Sequence, residues 1–353
     1  MQRIVSFCKV ILTVVGLYLP FLAQSQQLIS SEFKATFTRE QLNAQFGPFA
    51  QNGIRLYKLL YTMPDLQGVT DTVSGLLIIP DLSGVAMPAL CAMHGTVDSK
   101  EDVPSNLRGG YELGSAFAAF GYVTFMPDYL GLGESRGFHP YVHADSEASA
   151  GINMLFAVRA FAAQNNILIN DQLFITGYSQ GGHASMAMHR AVEQNYANTL
   201  QVTAAAHLSG PYSISGATRE LLLSNQQYFY PAYIPFTLLS YDLAYDIFPN
   251  LESVFKPAYA AAIQRFFAGN FTLNGLNQAL INQLRMDYGA VIVRNMFQDS
   301  VINAVENDPN HPVNRALAAN DVYQWAPKAP TRMFYCRADD QVTYRNSIVA
   351  DSV

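Results

Sequence analysis

Short runs of uninterrupted apolar residues alternate with longer amphipathic stretches along much of the chain. Ala89–Met93, Tyr122–Met126, Leu173–Thr176, Val202–Leu208 and Arg332–Cys336 read as strands. Between them Tyr111–Phe120, Ser146–Gln164 and Ser179–Asn195 carry helical spacing, and Asp145 is placed to cap the second. Nearer the amino end, Thr38-Arg39-Glu40-Gln41 has the spacing of a capping box and opens a short helix. Ile54–Tyr61 and Thr72–Ile79 are extended segments separated by Pro64, Asp65 and Gly68. Strands that are apolar throughout are buried on both faces, so the alternation predicts an α/β fold: a mostly parallel central sheet with helices on both faces. Functional groups in such sheets collect at the carboxyl ends of the strands. Those ends carry His94-Gly95, Asp128, Ser179, Ser209-Gly210 and Asp339.

The alternation stops between residues 213 and 326, where helical patterns dominate. This predicts a helical cap, or lid, inserted into a core made of residues 26–212 and 327–353. Seven aromatic residues fall within positions 228–245: Tyr228, Phe229, Tyr230, Tyr233, Phe236, Tyr241 and Tyr245. Pro231 and Pro235 argue against a regular helix there. The cluster either packs the insertion onto the core or lines an apolar substrate pocket, and both uses are compatible.

The amino terminus departs from this pattern. Arg3 and Lys9 precede an apolar run, Val10–Leu22, which ends in Ala23-Gln24-Ser25. A basic start, a short apolar core and a small-x-small site form a secretory signal peptide over residues 1–25. The run has 13 residues, fewer than the ~20 a membrane-spanning helix needs. The expectation is a secreted protein, extracellular or periplasmic. A net charge of −6 and a charged fraction of 14% exclude a phosphate-backbone binder, so no nucleic-acid partner is expected. Past the leader, Cys91 and Cys336 remain, both in apolar stretches that suit buried free thiols, with a disulfide permitted by the compartment.

The most informative stretch is Leu173-Phe174-Ile175-Thr176-Gly177-Tyr178-Ser179-Gln180-Gly181-Gly182-His183. It holds G-x-S-x-G between a predicted strand and a predicted helix. The glycines admit the strained turn that lifts a serine hydroxyl above the sheet, at a helix N-terminus that favours developing negative charge. Ser179 is therefore the candidate nucleophile. The backbone N–H of Gln180 is one candidate oxyanion donor. Thr96, in the His94-Gly95-Thr96 turn after an earlier strand, is the other, and His94 serves to organise that loop.

The stretches CAMHGTVDSKEDVPS, PDYLGLGESRGFHPYVHADSEA, GYSQGGHA and CRADDQV resemble α/β-hydrolases, specifically the secreted lipase/esterase branch, over roughly residues 70–345. The resemblance implies carboxylic-ester hydrolysis by a Ser–Asp–His triad, a cap before the strand bearing the acid, and no cofactor. On that pattern Asp339, three residues before Val342, is the acid, with Asp340 as fallback. Asp128 suits loop organisation better. The triad histidine should follow the acid, yet all seven histidines precede it, the last being His311. A final strand and closing helix are also expected, so the expectation is that the chain continues beyond Val353 and carries the base there. His139 and His143 have H-x₃-H spacing, but Pro140 removes the helix that would align them, so no metal site is expected.

The sequence thus predicts a secreted serine esterase or lipase acting on a small-molecule or lipid ester, with contact to a lipid surface left open. His94, Tyr178, Tyr228, Phe229, Tyr233 and Phe236 are the candidate pocket residues. Two alternatives stand beside it: a non-catalytic ligand-binding member of the fold, and a peptidase or acyltransferase on the same triad. Asn270-Phe271-Thr272 is an N-glycosylation sequon.

Overall fold

The computed structural model describes residues 28–353; the expected leader lies outside the described residues. Eight strands form one sheet: β1 (Leu28–Phe37), β2 (Ile54–Pro64), β3 (Thr70–Pro80), β4 (Met87–Met93), β5 (Val123–Pro127), β6 (Ile169–Tyr178), β7 (Val202–Leu208) and β8 (Thr331–Phe334). Their spatial order is β1-β2-β3-β5-β4-β6-β7-β8. Pairs β1–β2, β2–β3 and β3–β5 are antiparallel, and every pair from β5 to β8 is parallel.

Alternate residues of the central strands enter different cores, as the period of two requires. In β4, Met87, Ala89, Cys91 and Met93 pack into one cluster with helices α3 (Ala144–Gln164) and α4 (Gln180–Asn195). Leu90 and Ala92 of the same strand pack into another with α1 (Arg39–Phe46) and α2 (Tyr111–Ala119). This two-sided burial makes the strands apolar throughout and hence legible as strands.

Between β7 and β8 lie six helices: α5 (Arg219–Leu223), α6 (Tyr233–Tyr245), α7 (Pro257–Phe267), α8 (Leu273–Tyr288), α9 (Asp299–Asn307) and α10 (Pro312–Ala319). They share a third apolar core, which Tyr141 and Val142 join from the main body. A last short helix, α11 (Arg345–Asp351), follows β8. Among the described residues, no helix is long and apolar enough to cross a membrane.

Four details correct the sequence reading. Strand β1 was not expected, because its half-polar sequence LISSEFKATF sits mostly exposed at the sheet edge and shows no buried face. His143, not Asp145, caps α3: its Nδ1 accepts the Ser146 N–H at 3.3 Å. Pro235 lies inside α6, in the first turn, where a backbone N–H has no intrahelical acceptor to lose. Cys91 is a buried free thiol as expected, whereas Cys336 falls past the end of β8 and is exposed.

Candidate active site

Ser179 links β6 to α4 with φ 58° and ψ −123°. A β-carbon in that region is strained by about 1–3 kcal/mol, which the surrounding packing must offset. The Ser179 N–H donates to the Leu208 carbonyl at 3.0 Å, and its own carbonyl accepts Gly182 N–H at 2.8 Å. The flanking glycines are steric necessities. A Cβ at Gly177 would strike the Gly181 carbonyl, one at Gly181 the Met93 carbonyl, and one at Gly182 would lie 2.5 Å from the Leu208 carbonyl oxygen. The Ser179 side chain is half-buried, and its hydroxyl has no hydrogen-bond partner among the described residues.

The turn after β4 abuts this serine, since a Cβ on Gly95 would lie 3.7 Å from the Ser179 Cβ. The backbone N–H groups of Gln180 and Thr96 donate to no protein acceptor among the described residues. The Thr96 hydroxyl bonds the Tyr141 hydroxyl at 2.9 Å. His94 is buried behind the turn, with Nδ1 2.7 Å from the Gly95 carbonyl and Nε2 3.3 Å from that of Asp128. Its ring stacks on Tyr129 at 4.2 Å. Asp128 is buried too, accepting the Ser74 hydroxyl at 2.6 Å and the Ser105 N–H at 3.0 Å, and burial pushes its carboxyl pKa up. Both residues brace loops.

A buried network behind the elbow escaped the sequence reading. Glu147 in the first turn of α3 accepts Gln180 Nε2 at 2.8 Å and His183 Nδ1 at 2.7 Å. His183 Nε2 lies 2.9 Å from the Asn320 carbonyl, so both ring nitrogens face oxygen atoms. The His183 ring and the Glu147 carboxyl group are thus paired at zero side-chain exposure. The other Gln180 Nε2 proton goes to His139 Nε2 at 2.8 Å, while His139 Nδ1 donates to the Leu130 carbonyl at 2.7 Å. Burial drives the His139 pKa down to about 3, so that ring is neutral. The network clamps the side chain of the residue that follows Ser179. The only trace of it in sequence is a glutamate at a helix start and a histidine four residues past the serine; neither predicts contact with the other.

The β6–β7–β8 ladder brings the Asp339 turn to the same edge, because the Ser209 N–H bonds the Phe334 carbonyl at 2.8 Å. Asp339 Oδ1 accepts the Gln341 N–H at 3.0 Å and the Val342 N–H at 2.9 Å. Burial first, and the Asp339 charge after it, raise the phenol pKa of Tyr178. Asp340 is exposed and makes no hydrogen bond among the described residues. The seven histidines are engaged elsewhere. Beyond those described, His143 caps α3, His189 bonds Glu193 at 3.1 Å, His207 bonds Ser185 at 2.7 Å, and His311 caps α10. None bonds Ser179 or Asp339.

A cavity of about 970 Å³ opens beside Gln180 and His139. Its walls are Val97–Glu101, Leu132 and Phe138 from the main body, and Phe236, Leu243, Phe266, Phe267, Phe271 and Leu273 from the cap. Of the candidate pocket residues only Phe236 is on this wall. Tyr178 is exposed, Tyr228 and Tyr233 bond Gln341, Phe229 lies under Arg285, and His94 sits behind the turn that follows β4. The aromatic wall instead draws on Phe138 and on Phe266 to Phe271, a second cluster some thirty residues after the one the sequence drew attention to.

No family model and no curated protein matches the chain. Solved structures do. A rice cell wall degrading esterase, LipA from Xanthomonas oryzae, is 26% identical with a TM-score of 0.82, over 92% of this chain and 86% of its own. A candidate hydrolase from Legionella pneumophila is also 26% identical with a TM-score of 0.82, over 92% and 87%. Lipase A of Candida antarctica shares the fold at 16% identity and a TM-score of 0.64, over 92% and 72%. The strand order, the strained serine between β6 and α4 and these likenesses agree: the chain belongs to the α/β-hydrolase superfamily.

Proposed function

We propose that this protein is a secreted carboxylic-ester hydrolase working through an acyl-enzyme on Ser179. The observation that carries the reading is the Ser179 backbone, held at positive φ at the start of a 16-residue helix. Strain of this kind persists where the surrounding structure maintains it and clusters at reacting residues. The likeness to esterases favours an ester over other acyl substrates. In this reading the Ser179 hydroxyl adds to the ester carbonyl. The N–H groups of Gln180 and Thr96 receive the oxyanion, and Asp339 orients the histidine that takes the serine proton. The apolar part of the ester occupies the cavity walled by Phe138, Phe236, Phe266 and Phe267. The leader over residues 1–25 carries the protein out of the cytoplasm.

The test is turnover of p-nitrophenyl esters by the whole protein as its cell produces it. Ser179→Ala should abolish turnover and fluorophosphonate labelling together; retained turnover would remove Ser179 from the mechanism. Equal rates from acetyl to decanoyl esters would remove the cavity as the acyl site. Edman sequencing of the exported protein should begin near Gln26, and an intact leader would contradict export.

One observation favours a second reading, a non-catalytic protein that holds an apolar ligand in the same cavity. Each of the seven histidines is bonded away from Ser179, and an unassisted serine is a weak nucleophile. That protein would bind a fatty-acid probe and resist fluorophosphonate labelling.

A further inference from the structure

We propose that Tyr228 and Tyr233 of the cap are positioning residues that hold the turn bearing Asp339. The proposal rests on the reading of Asp339 as the triad acid. The Tyr228 hydroxyl donates to the Gln341 backbone carbonyl at 2.9 Å, and the Tyr233 hydroxyl donates to Gln341 Oε1 at 3.0 Å. Gln341 in turn donates its N–H to the Asp339 carboxylate. Two cap phenols therefore grip Gln341, one of the two residues whose N–H groups bond the Asp339 carboxylate.

Among the described residues the turn has little else to fix it. Residues 334–338 are exposed, β8 is an edge strand of four residues, and the single further backbone bond within the turn runs from the Asp339 N–H to the Cys336 carbonyl at 3.3 Å. An exposed turn wanders by more than the fraction of an ångström that proton transfer tolerates, unless a rigid neighbour holds it. The cap supplies that neighbour. Tyr228 is buried and tied by its N–H to the Val291 carbonyl at 2.9 Å. Tyr233, in the first turn of α6, stacks between Tyr230 at 5.8 Å and Tyr141 at 6.1 Å. Burial raises both phenol pKa values, that of Tyr233 to about 12, so both hydroxyls remain donors throughout the working range. Tyr141 also bonds Thr96 and stacks on Phe236 at 4.4 Å. One cap segment thereby sets both the acid turn and the oxyanion turn.

The experiment measures kcat and KM for p-nitrophenyl butyrate on the whole protein. Its variants are Tyr228→Phe, Tyr233→Phe, their combination, Gln341→Leu and Asp339→Asn. Loss of both hydroxyls should lower kcat by about ten- to a hundredfold and leave KM within about twofold, the pattern of a misplaced group rather than a lost binding contact. Gln341→Leu should reproduce Tyr233→Phe, and the two together should cost no more than either alone. Unchanged kcat, effects that multiply, or a change confined to melting temperature would each overturn the proposal. If the doubly substituted protein fails to fold, the Tyr233→Phe and Gln341→Leu pair still decides. Asp339→Asn separates the two layers of argument. Retained turnover there would overturn the assignment of the acid itself; lost turnover with unaffected tyrosine variants would overturn only the cap's role.

Discussion

The elbow at Ser179 follows β6 and the turn at Asp339 follows β8, with β7 between them, and the two are held in opposite ways. The elbow is held from within. Gly177, Gly181 and Gly182 let the backbone pass against Met93 and Leu208, and the buried pair of Glu147 and His183 closes the space behind it. The Asp339 turn is held from outside, by cap phenols bonded to Gln341. A site whose strain is local leaves a motif in the sequence. A site held by a distant segment leaves scattered residues of ordinary type.

The largest expected effects fall on the reacting groups themselves. Under the esterase reading, Ser179→Ala and Asp339→Asn should each lower kcat by about 10⁴-fold or more, as losses of triad members do elsewhere. Fluorophosphonate labelling should distinguish them, vanishing in the first and slowing in the second. If Asp340→Asn fell as far as Asp339→Asn, the contrast between an anchored and a free carboxylate would collapse.

Next come changes in what holds each region. Gly181→Ala should destabilise the protein by roughly 3 kcal/mol, because the added methyl meets backbone that cannot yield. Chemical denaturation would show this as a lower midpoint. Losing the Tyr228 and Tyr233 hydroxyls should spare stability by comparison, and an equal loss in both would erase the distinction between inner and outer support.

A smaller and more graded effect concerns pH. Burial, with His189 beside His207, depresses His139 and His207 to about 3 in the folded protein, against about 6.5 unfolded. The unfolded chain then binds more protons than the folded one between those values. Stability contributed by each ring is present above pH ~6.5 and declines as pH falls toward ~3, at no more than about 1.4 kcal/mol per unit. Denaturation midpoints between pH 7 and 4 should fall on this slope, and His207→Asn should flatten it. No histidine bonds the acid turn, so hydrogen exchange there should respond less to acid than exchange around Gln180.

Legibility followed the same division. Strands β4 and β5 could be read because both their faces are buried, and β6 and β7 because short apolar runs dominate them. Edge strand β1 could not, since its exposed positions carry no alternation to detect. Ser179 and Gln180 could be proposed because strand, glycine turn and helix are consecutive in the chain, and Thr96 because its turn follows β4. The aromatic cluster at 228–245 was conspicuous, yet composition could not separate a wall from a latch: Phe236 faces the cavity while Tyr228 and Tyr233 reach Gln341.

What the chain determined by itself is the local chemistry: an alternation that makes a two-sided sheet, and a glycine-flanked serine that only a strained turn can accommodate. Tertiary structure alone decided which distant groups meet. Glu147 met His183, Tyr228 met Gln341, and Phe266 came to face Phe138. Sequence spacing governs contacts within a few residues, where the backbone's own geometry sets distance. Contacts between segments tens to more than a hundred residues apart depend on how helices and strands pack, and no residue carries the mark of a partner that only packing supplies.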